Sequence, residues 1–132
     1  MKNRISVVGA VLTRGQMILA AQRSSKMSLP GMWEFPGGKV EPDESPKQAL
    51  LRELDEELLC AAEIGAHIQT TEYEYEFGIV ILTTYYCSLT GDEPRLTEHS
   101  EIRWIHVAEL DQLNWAPADI PAVEQVMRDF QV

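Results

Sequence analysis

Three glutamates with helical spacing, Glu53, Glu56 and Glu57, are the residues of this chain best suited to chemistry. Positions three and four apart are neighbours on an α-helix, so the three carboxylates share one face. At roughly 6 Å, each like-charge pair costs about 0.7 kcal/mol in water and about 3 kcal/mol at an effective dielectric constant near 20. A cation between the carboxylates would remove this repulsion, and oxygen ligands with spare water positions suit Mg2+ or Mn2+.

A solvated acidic face is the alternative interpretation of these glutamates. Such a face would gain from interspersed basic residues, and here only Arg52 lies close. The interpretation also leaves the spacing to Gly38 and Glu44 unexplained. The pattern therefore favours a metal site.

The helix that must carry these carboxylates has a well-marked start. Ser45 is a suitable N-cap, Pro46 suits the first helical position and Gln48 completes a capping box. Apolar residues then recur every three or four positions and predict the buried stripe of the helix. They are Leu50, Leu54, Leu58 and Ala61.

The rest of the chain alternates between predicted strands and helices. β-Branched and aromatic runs predict strands over 5–13, 17–21, 66–73, 77–88 and 101–105, with a short extended piece over 33–35. Helices are expected over 107–113 and 119–130. Mixed strands with helices on both sides predict an α/β protein, a three-layer α/β/α sandwich around a mixed β-sheet.

The segment 38–60, GKVEPDESPKQALLRELDEELLC, resembles the Nudix box. This box is the magnesium-binding signature of hydrolases that cut nucleoside diphosphates linked to another group, and the Nudix fold is the sandwich predicted above. The family pattern runs G-x5-E-x7-R-E-U-x-E-E-x-G-U, where U is a bulky aliphatic residue. Matching residues stand at seven of its positions: Gly38, Glu44, Arg52, Glu53, Leu54, Glu56 and Glu57.

The chain departs from this pattern at Leu59, in place of the second glycine, and at Cys60. Glycine after a helix usually takes a left-handed conformation that ends it, and leucine pays about 1 kcal/mol or more there. We therefore expect the helix to run on through Cys60, Ala61 and Ala62.

The resemblance implies a role for each residue of the box. Glu53, Glu56 and Glu57, together with the Gly37 carbonyl, would hold one to three Mg2+ ions, with Mn2+ as a possible substitute. Arg52 would orient one of the glutamates. Glu44 would fix the geometry between loop and helix.

Residues upstream of the box resemble the lead-in of MutT-type Nudix enzymes, in the segment 31–39, GMWEFPGGK. Arg23 matches a position where that group has an arginine near the phosphates, and Lys39 can serve the same purpose. Both have the alternative of being surface cations. Phe35 would form part of a nucleoside pocket or, as an alternative, part of the core.

A glutamate in the loop before the strand at 101–105 is a further candidate. MutT-like enzymes carry a glutamate in such a loop as an extra metal ligand or as the general base, and Glu98 suits that role. Glu101 is the rival, three residues on. His99, between them, is expected to be a surface residue.

The segment 115–121, WAPADIP, resembles a Pro-Ala-Asp segment in the CTP pyrophosphohydrolase branch of the MutT-like enzymes. In the branch that prefers 8-oxo-dGTP, the comparable position can be asparagine. An ionised Asp119 accepts hydrogen bonds, and cytosine N4 donates them. As an alternative, Asp119 is a helix N-cap. Both roles can coexist, and the donors of a guanine edge leave purines open.

Length and composition predict one globular domain over 1–132, with 45% hydrophobic and 24% charged residues. The sequence contains no apolar run of 18 residues, and its N-terminal apolar run is typical of a strand rather than a signal peptide. Cys60 and Cys87 suit a reduced, cytoplasmic protein better than a disulfide framework.

The net charge of −10 limits the classes of partner that the protein can bind. It argues against DNA or RNA polymers and against anionic membranes. It also repels a polyphosphate substrate unless divalent cations neutralise the site. Monomer and homodimer both stay open.

The function predicted from the resemblance is magnesium-dependent hydrolysis of a (deoxy)nucleoside triphosphate to monophosphate and pyrophosphate. Glu98, or else Glu53, would act as the base. Cytidine nucleotides (CTP, dCTP or 5-substituted forms) are the favoured substrates, and 8-oxo-dGTP is the runner-up. Cleavage of ADP-ribose or dinucleoside polyphosphates ranks lower, as does a non-catalytic nucleotide-binding role.

Overall fold

The structure is a computed structural model that describes residues 2–132. Its strands are β1 Arg4–Arg14, β2 Met17–Gln22, β3 Trp33–Glu34, β4 Gly37–Lys39, β5 Ala62–Tyr75, β6 Gly78–Leu89 and β7 Glu101–His106. Its α-helices are α1 Pro46–Leu58 and α2 Ile120–Asp129. Two 3-10 helices cover Val107–Gln112 and Pro117–Asp119, so the helix expected over 107–113 is of the tighter type.

The sheet is mixed, as predicted, and β1 is its centre. Strand β1 pairs in parallel with β6, from Arg4 opposite Ile79 to Leu12 opposite Cys87. It pairs antiparallel with both β2 and β4. The strand order is β3-β2-β1-β6-β5, with β4 added on β1 and β7 added on β2.

Two hydrophobic clusters cover the two faces of this sheet. Successive side chains of a strand point to opposite faces. Accordingly, Val8, Ala10 and Leu12 of β1 pack in the α1 cluster, whereas Val11 packs in the α2 cluster. The predicted three-layer α/β/α sandwich is therefore confirmed.

Helix α1 begins as predicted. The Ser45 side chain accepts a hydrogen bond from the Gln48 N–H, and the Gln48 side chain accepts one from the Ser45 N–H. Leu50, Leu54 and Leu58 are fully buried against β1, which contributes about 2 kcal/mol for each side chain. Ala61 is exposed, so its place in the buried stripe was wrong.

The expected continuation of α1 through Cys60, Ala61 and Ala62 was also wrong. The helix ends at Leu58, and Leu59 adopts the left-handed conformation with φ 51° and ψ 40°. The Leu59 N–H donates to the Asp55 carbonyl at 3.1 Å, so a carbonyl that the helix end leaves open is satisfied. The chain must turn here because β5 begins at Ala62. This turn and its hydrogen bond outweigh the cost of leucine in that conformation.

The remaining features concern the surface and the cysteines. No helix within residues 2–132 is long and apolar enough to cross a membrane. Cys60 and Cys87 are both free and buried.

Candidate active site

A cavity of about 590 Å3 opens beside the sheet and collects residues from distant parts of the chain. Its volume lies in the range of small-molecule sites. One end, the acidic end, is lined by Arg52, Glu53, Glu56 and Glu57, and Glu44 supports it through its hydrogen bonds with Arg52. The other, the aromatic end, is lined by Phe35, Tyr75, Phe77 and Asp119, and Trp115 packs on Phe35.

Two glycines of β4 allow the acidic end to close up. A Cβ atom on Gly37 would lie 1.9 Å from the Val8 carbonyl oxygen, and one on Gly38 would lie 2.4 Å from the carboxyl carbon of Glu53. A side chain at Gly37 would therefore collide with backbone, and one at Gly38 would push the Glu53 carboxyl group aside. The pair lies in a strand that pairs with β1, and its close approach is to the chain itself.

Arg52 organises the acidic end. Its Nε and Nη2 donate to the two oxygens of Glu44 at 2.7 and 2.9 Å, and Nη2 also donates to the Lys39 carbonyl at 2.9 Å. Its Nη1 donates to Glu53 at 2.8 Å and to Glu56 at 3.3 Å. This fork ties α1 to β4 and to the loop before the helix. The hydrogen bonds from Arg52 and from the Glu41 N–H lower the pKa of Glu44 to about 2.

Of the glutamates at the acidic end, Glu57 is the one whose ionised form is most disfavoured. Burial raises its pKa to about 8, and repulsion from Glu34 and Glu53 adds to the effect. One of its oxygens accepts the Gly37 N–H at 3.1 Å. Burial also raises the pKa of Glu53, against the opposing influence of Arg52. Both groups therefore gain from a nearby cation.

This environment fits a hard divalent cation by its donor chemistry. Carboxylates that resist ionisation in their present surroundings gain from a cation, and carboxylate oxygens are the ligands Mg2+ prefers. Within residues 2–132, however, no three acidic, His or Cys side chains already converge on one point. Arg52 accounts for part of this, because it binds one oxygen each of Glu53 and Glu56. The Glu56 side chain is 59% exposed.

Arg23 lies on the cavity wall and is firmly held. Its Nη1 donates to Glu34 at 2.6 Å, its Nε to the Ser28 carbonyl at 2.5 Å and its Nη2 to the Ser28 hydroxyl at 3.0 Å. A guanidinium has five N–H donors. Two of those on Arg23 thus stay available to a ligand. Lys39 also lines the cavity and is exposed.

Asp119 is the central polar group of the aromatic end. It is 6% exposed, and its Oδ2 accepts the Phe35 N–H at 3.0 Å. Burial raises the pKa of Asp119 well above its usual value, and the charge of Glu34 adds to this. The residue stands at the N-cap position of α2, but its side chain makes no capping hydrogen bond. The predicted cap was therefore wrong, since the carboxylate is used to hold Phe35.

Aromatic rings build the walls around Asp119. Phe35 is 3% exposed and packs on Trp115 with ring centroids 4.7 Å apart. It lines the cavity as well, so its place in the core is confirmed, and its part in a nucleoside pocket stays a prediction. The Tyr75 hydroxyl accepts the Ala118 N–H at 2.8 Å. The Phe77 ring stacks on Tyr75 at 5.1 Å.

The predicted loop glutamate, Glu98, and its rival, Glu101, do not line this cavity. Glu98 is exposed, and Glu101 pairs with Arg103 at 3.0 Å. His99 was expected at the surface, and this was wrong. Its side chain is 1% exposed, and its Nε2 lies 2.8 Å from a Glu34 oxygen. Burial lowers the pKa of His99, but Glu34 and Glu57 outweigh this and raise it overall.

Sequence reasoning missed three residues of the site. Glu34 lies in the lead-in segment but was given no predicted role. Its side chain bridges Arg23 and His99. Tyr75 and Phe77 were given no predicted role in the site. The alternating EYEYEF run was the available signal, because it puts its aromatic residues on one face.

Comparison with known proteins agrees with this architecture. The NUDIX domain family matches residues 3–126. The chain is 41% identical to the CTP pyrophosphohydrolase of Escherichia coli K12, over 93% of this chain and 91% of that protein. It is also 41% identical to a putative 8-oxo-dGTP diphosphatase 2 of Mycobacterium tuberculosis H37Rv, over 90% and 84%.

Among solved structures, similarity extends to the solution structure of the DNA mismatch repair protein MutT, a Nudix hydrolase from methicillin-resistant Staphylococcus aureus 252. That chain is 58% identical, with a TM-score of 0.81 over 98% of this chain and 99% of the other. The chain described here belongs to the Nudix hydrolase family, on its MutT-like side. Nudix hydrolases generally use divalent metals such as Mg2+.

Proposed function

We propose that this protein hydrolyses (deoxy)nucleoside triphosphates to monophosphate and pyrophosphate with Mg2+, and that cytidine nucleotides are its preferred substrates. One observation carries the proposal. A single cavity presents cation-seeking carboxylates at one end and a buried, hydrogen-bonding carboxyl among aromatic rings at the other. A nucleotide has the same two parts, an anionic polyphosphate and a planar base.

The acidic end would hold the metal through Glu53, Glu56, Glu57 and the Gly37 carbonyl. Magnesium held there would neutralise charge on a bound phosphate and lower the pKa of water. Arg52 and Glu44 keep the carboxylates in place through the hydrogen bonds described above. Arg23 and Lys39 would hold the outer phosphate oxygens, for which Arg23 has two free N–H donors.

Hydrolysis requires a base that accepts a proton from the attacking water. The water oxygen bonds to phosphorus as the phosphoanhydride bond breaks, and pyrophosphate leaves. Glu53 lines the cavity and its pKa is raised, which suits this role. Glu98 lies exposed outside the cavity, so the geometry favours Glu53 of the two predicted bases.

Asp119 would read the base. The Phe35 N–H donates to one oxygen of Asp119. Within residues 2–132 the carboxyl group accepts no other hydrogen bond, so its second oxygen is left for a ligand. Cytosine N4 offers a matching donor. Phe35, Tyr75 and Phe77 supply the aromatic walls, and Trp115 packs on Phe35.

8-oxo-dGTP hydrolysis is the second candidate. It is favoured by the similarity, at the same 41% identity, to the mycobacterial 8-oxo-dGTP diphosphatase 2. The raised pKa of Asp119 points the same way, because a protonated carboxyl also donates a hydrogen bond. Such a group can face bases with different donor patterns.

A pyrophosphate-release screen with Mg2+ tests the proposal. CTP, dCTP, 5-methyl-dCTP, 8-oxo-dGTP, ADP-ribose and diadenosine tetraphosphate would be compared at equal concentration, with the Glu57→Gln protein as the blank. We expect the highest kcat/KM for the cytidine compounds. Preference for 8-oxo-dGTP would select the second candidate. Turnover of none of them, with nucleotide binding retained, would identify a non-catalytic binding protein and overturn the proposal.

A further inference from the structure

His99 is a buried polar side chain in an otherwise exposed loop. Its neighbours Thr97, Glu98 and Ser100 are all exposed, whereas the imidazole is 1% exposed. Burying a polar ring is costly unless it is hydrogen-bonded. The position of His99 therefore has to be explained by what it contacts.

The loop is held at both sides of His99. The Thr97 hydroxyl donates to the Glu57 carbonyl at the end of α1. The Ser100 N–H donates to the Gln22 carbonyl at the end of β2, at 2.9 Å. These anchors fix the imidazole between the helix that carries the acidic end and the strand that leads to Arg23.

Only one side of the imidazole has a partner. Its Nε2 donates to Glu34 Oε2 at 2.8 Å. Nδ1 is buried and has no hydrogen-bond partner among residues 2–132. The single directed contact of this ring is thus with Glu34.

Glu34 passes this contact on to Arg23. Its Oε2 is occupied by His99, and its Oε1 accepts Arg23 Nη1 at 2.6 Å. All three side chains are at least four-fifths buried, with 1%, 17% and 20% exposed for His99, Glu34 and Arg23. In partly buried surroundings such charge-assisted bonds are stronger and more directional than at the surface.

We infer that His99 is a positioning residue, which orients Glu34 and through it aims the two free N–H groups of Arg23 into the cavity. The inference rests on the proposed function in that those N–H groups would meet phosphate oxygens. Without His99, Glu34 can rotate about its side-chain bonds and release Nη1. Arg23 would then keep its Ser28 contacts but lose its fixed orientation.

A matched pair of substitutions isolates the contact. The amide nitrogen of His99→Gln can stand in for Nε2, whereas that of His99→Asn corresponds to Nδ1 and falls short of Glu34. We expect KM for CTP to rise about tenfold in His99→Asn, with kcat within about threefold, and to stay near wild type in His99→Gln. The control is His67→Ala, because His67 is exposed, does not line the cavity and contacts Thr70 and the edge of the Tyr85 ring instead.

A double-mutant cycle shows whether the effect passes through Arg23. In an Arg23→Ala background, His99→Asn should change KM by less than about twofold. An undiminished tenfold rise there would overturn the inference. So would equal KM values in the Gln and Asn variants when both melt as cooperatively as wild type.

A readout without turnover separates this inference from the proposed function. The Arg23 Nη1 protons, one of which is hydrogen-bonded to Glu34, can be followed by 15N NMR for their exchange with water. We expect faster exchange in His99→Asn than in wild type and in His99→Gln. Unchanged exchange would refute the positioning role. Absence of turnover in the wild-type protein would instead count against the proposed function alone.

Discussion

The acidic end and the aromatic end of the cavity are assembled over very different distances along the chain. Arg52 and Glu44, which organise the acidic end, are 8 residues apart. Phe35 and Asp119, which organise the aromatic end, are 84 apart. One loop and one helix are thus enough to assemble the acidic end, whereas the aromatic end forms only when distant parts of the chain come together.

The two ends also treat charge differently. At the acidic end, one guanidinium donates hydrogen bonds to three carboxylates, and the most exposed of the three is Glu56. At the aromatic end, a single carboxyl is buried with one backbone hydrogen bond. Changes at the acidic end should therefore alter the rate, and changes at the aromatic end should alter which base is accepted.

Glu57→Gln should have the largest effect and act on the rate alone. We expect turnover to fall by several orders of magnitude, because a neutral amide replaces a proposed metal ligand. The order of preference among nucleotides should be unchanged, since the aromatic end is intact. Steady-state assays of pyrophosphate release and circular dichroism would measure turnover and fold.

The matched control for Glu57→Gln is Asp55→Asn. Asp55 is an exposed acid on the same helix whose side chain makes no hydrogen bond to residues 2–132. It should keep near-normal turnover. Near-normal turnover in Glu57→Gln would refute the metal assignment.

Asp119→Asn should act at the other end. We expect the ratio of CTP to 8-oxo-dGTP activity to fall about tenfold, because one good hydrogen-bonded base contact is worth about 1–3 kcal/mol of discrimination. The asparagine carbonyl can still accept the Phe35 N–H, so the fold should persist. An unchanged ratio of kcat/KM values would reduce Asp119 to a residue that only holds Phe35.

The acidic end was predictable because its information is local. The capping box at Ser45, the leucine stripe and the glutamate spacing each follow from the period of one helix. The layers of the sheet were predictable for a similar reason, because successive side chains of β1 and β2 pack alternately in the clusters on its two faces. In both cases neighbours in sequence decide the structure.

The residues that were mispredicted depend on distant partners. His99 is polar and flanked by polar residues, so nothing local indicates its burial against Glu34. Asp119 has the position of a helix cap, but the Phe35 N–H competes for its oxygen. Leu59 is a poor choice for the left-handed region, and it adopts this conformation because β5 must start three residues on.

The two ends should contribute differently to the pH dependence of the unfolding free energy once Mg2+ is added. The folded-state pKa of Glu57 is about 8, against 4.5 as its ordinary value. A raised pKa gives stability that is complete below pH 4.5 and is lost as the pH rises through 8. The metal-free protein should therefore lose on the order of 1–4 kcal/mol of unfolding free energy over this range.

Urea unfolding at pH 5, 7 and 8.5 would measure this loss, with EDTA or with Mg2+. We expect Mg2+ to flatten the dependence due to Glu57, and Glu57→Gln to flatten it without metal. The raised pKa of Asp119 has the same sign, but the cation would bind at the other end, so that share should survive Mg2+. A slope that Mg2+ leaves intact in the wild-type protein would place the cation elsewhere.

Leu59→Gly should have the smallest effect, and it separates the end of the helix from the chemistry that the helix carries. Leucine at φ 51° costs about 1 kcal/mol, and glycine removes this cost but adds freedom to the unfolded chain. Because Leu59 is 51% exposed, little packing is lost, and we expect a net gain of about 0.5 kcal/mol in unfolding free energy.

The matched control is Leu51→Gly, an exposed leucine inside the same helix, which should lose about 1 kcal/mol of unfolding free energy. Equal losses in both variants would mean that the Leu59 side chain contributes packing after all. Unchanged turnover in Leu59→Gly would show that this departure from the family pattern affects only how the helix ends.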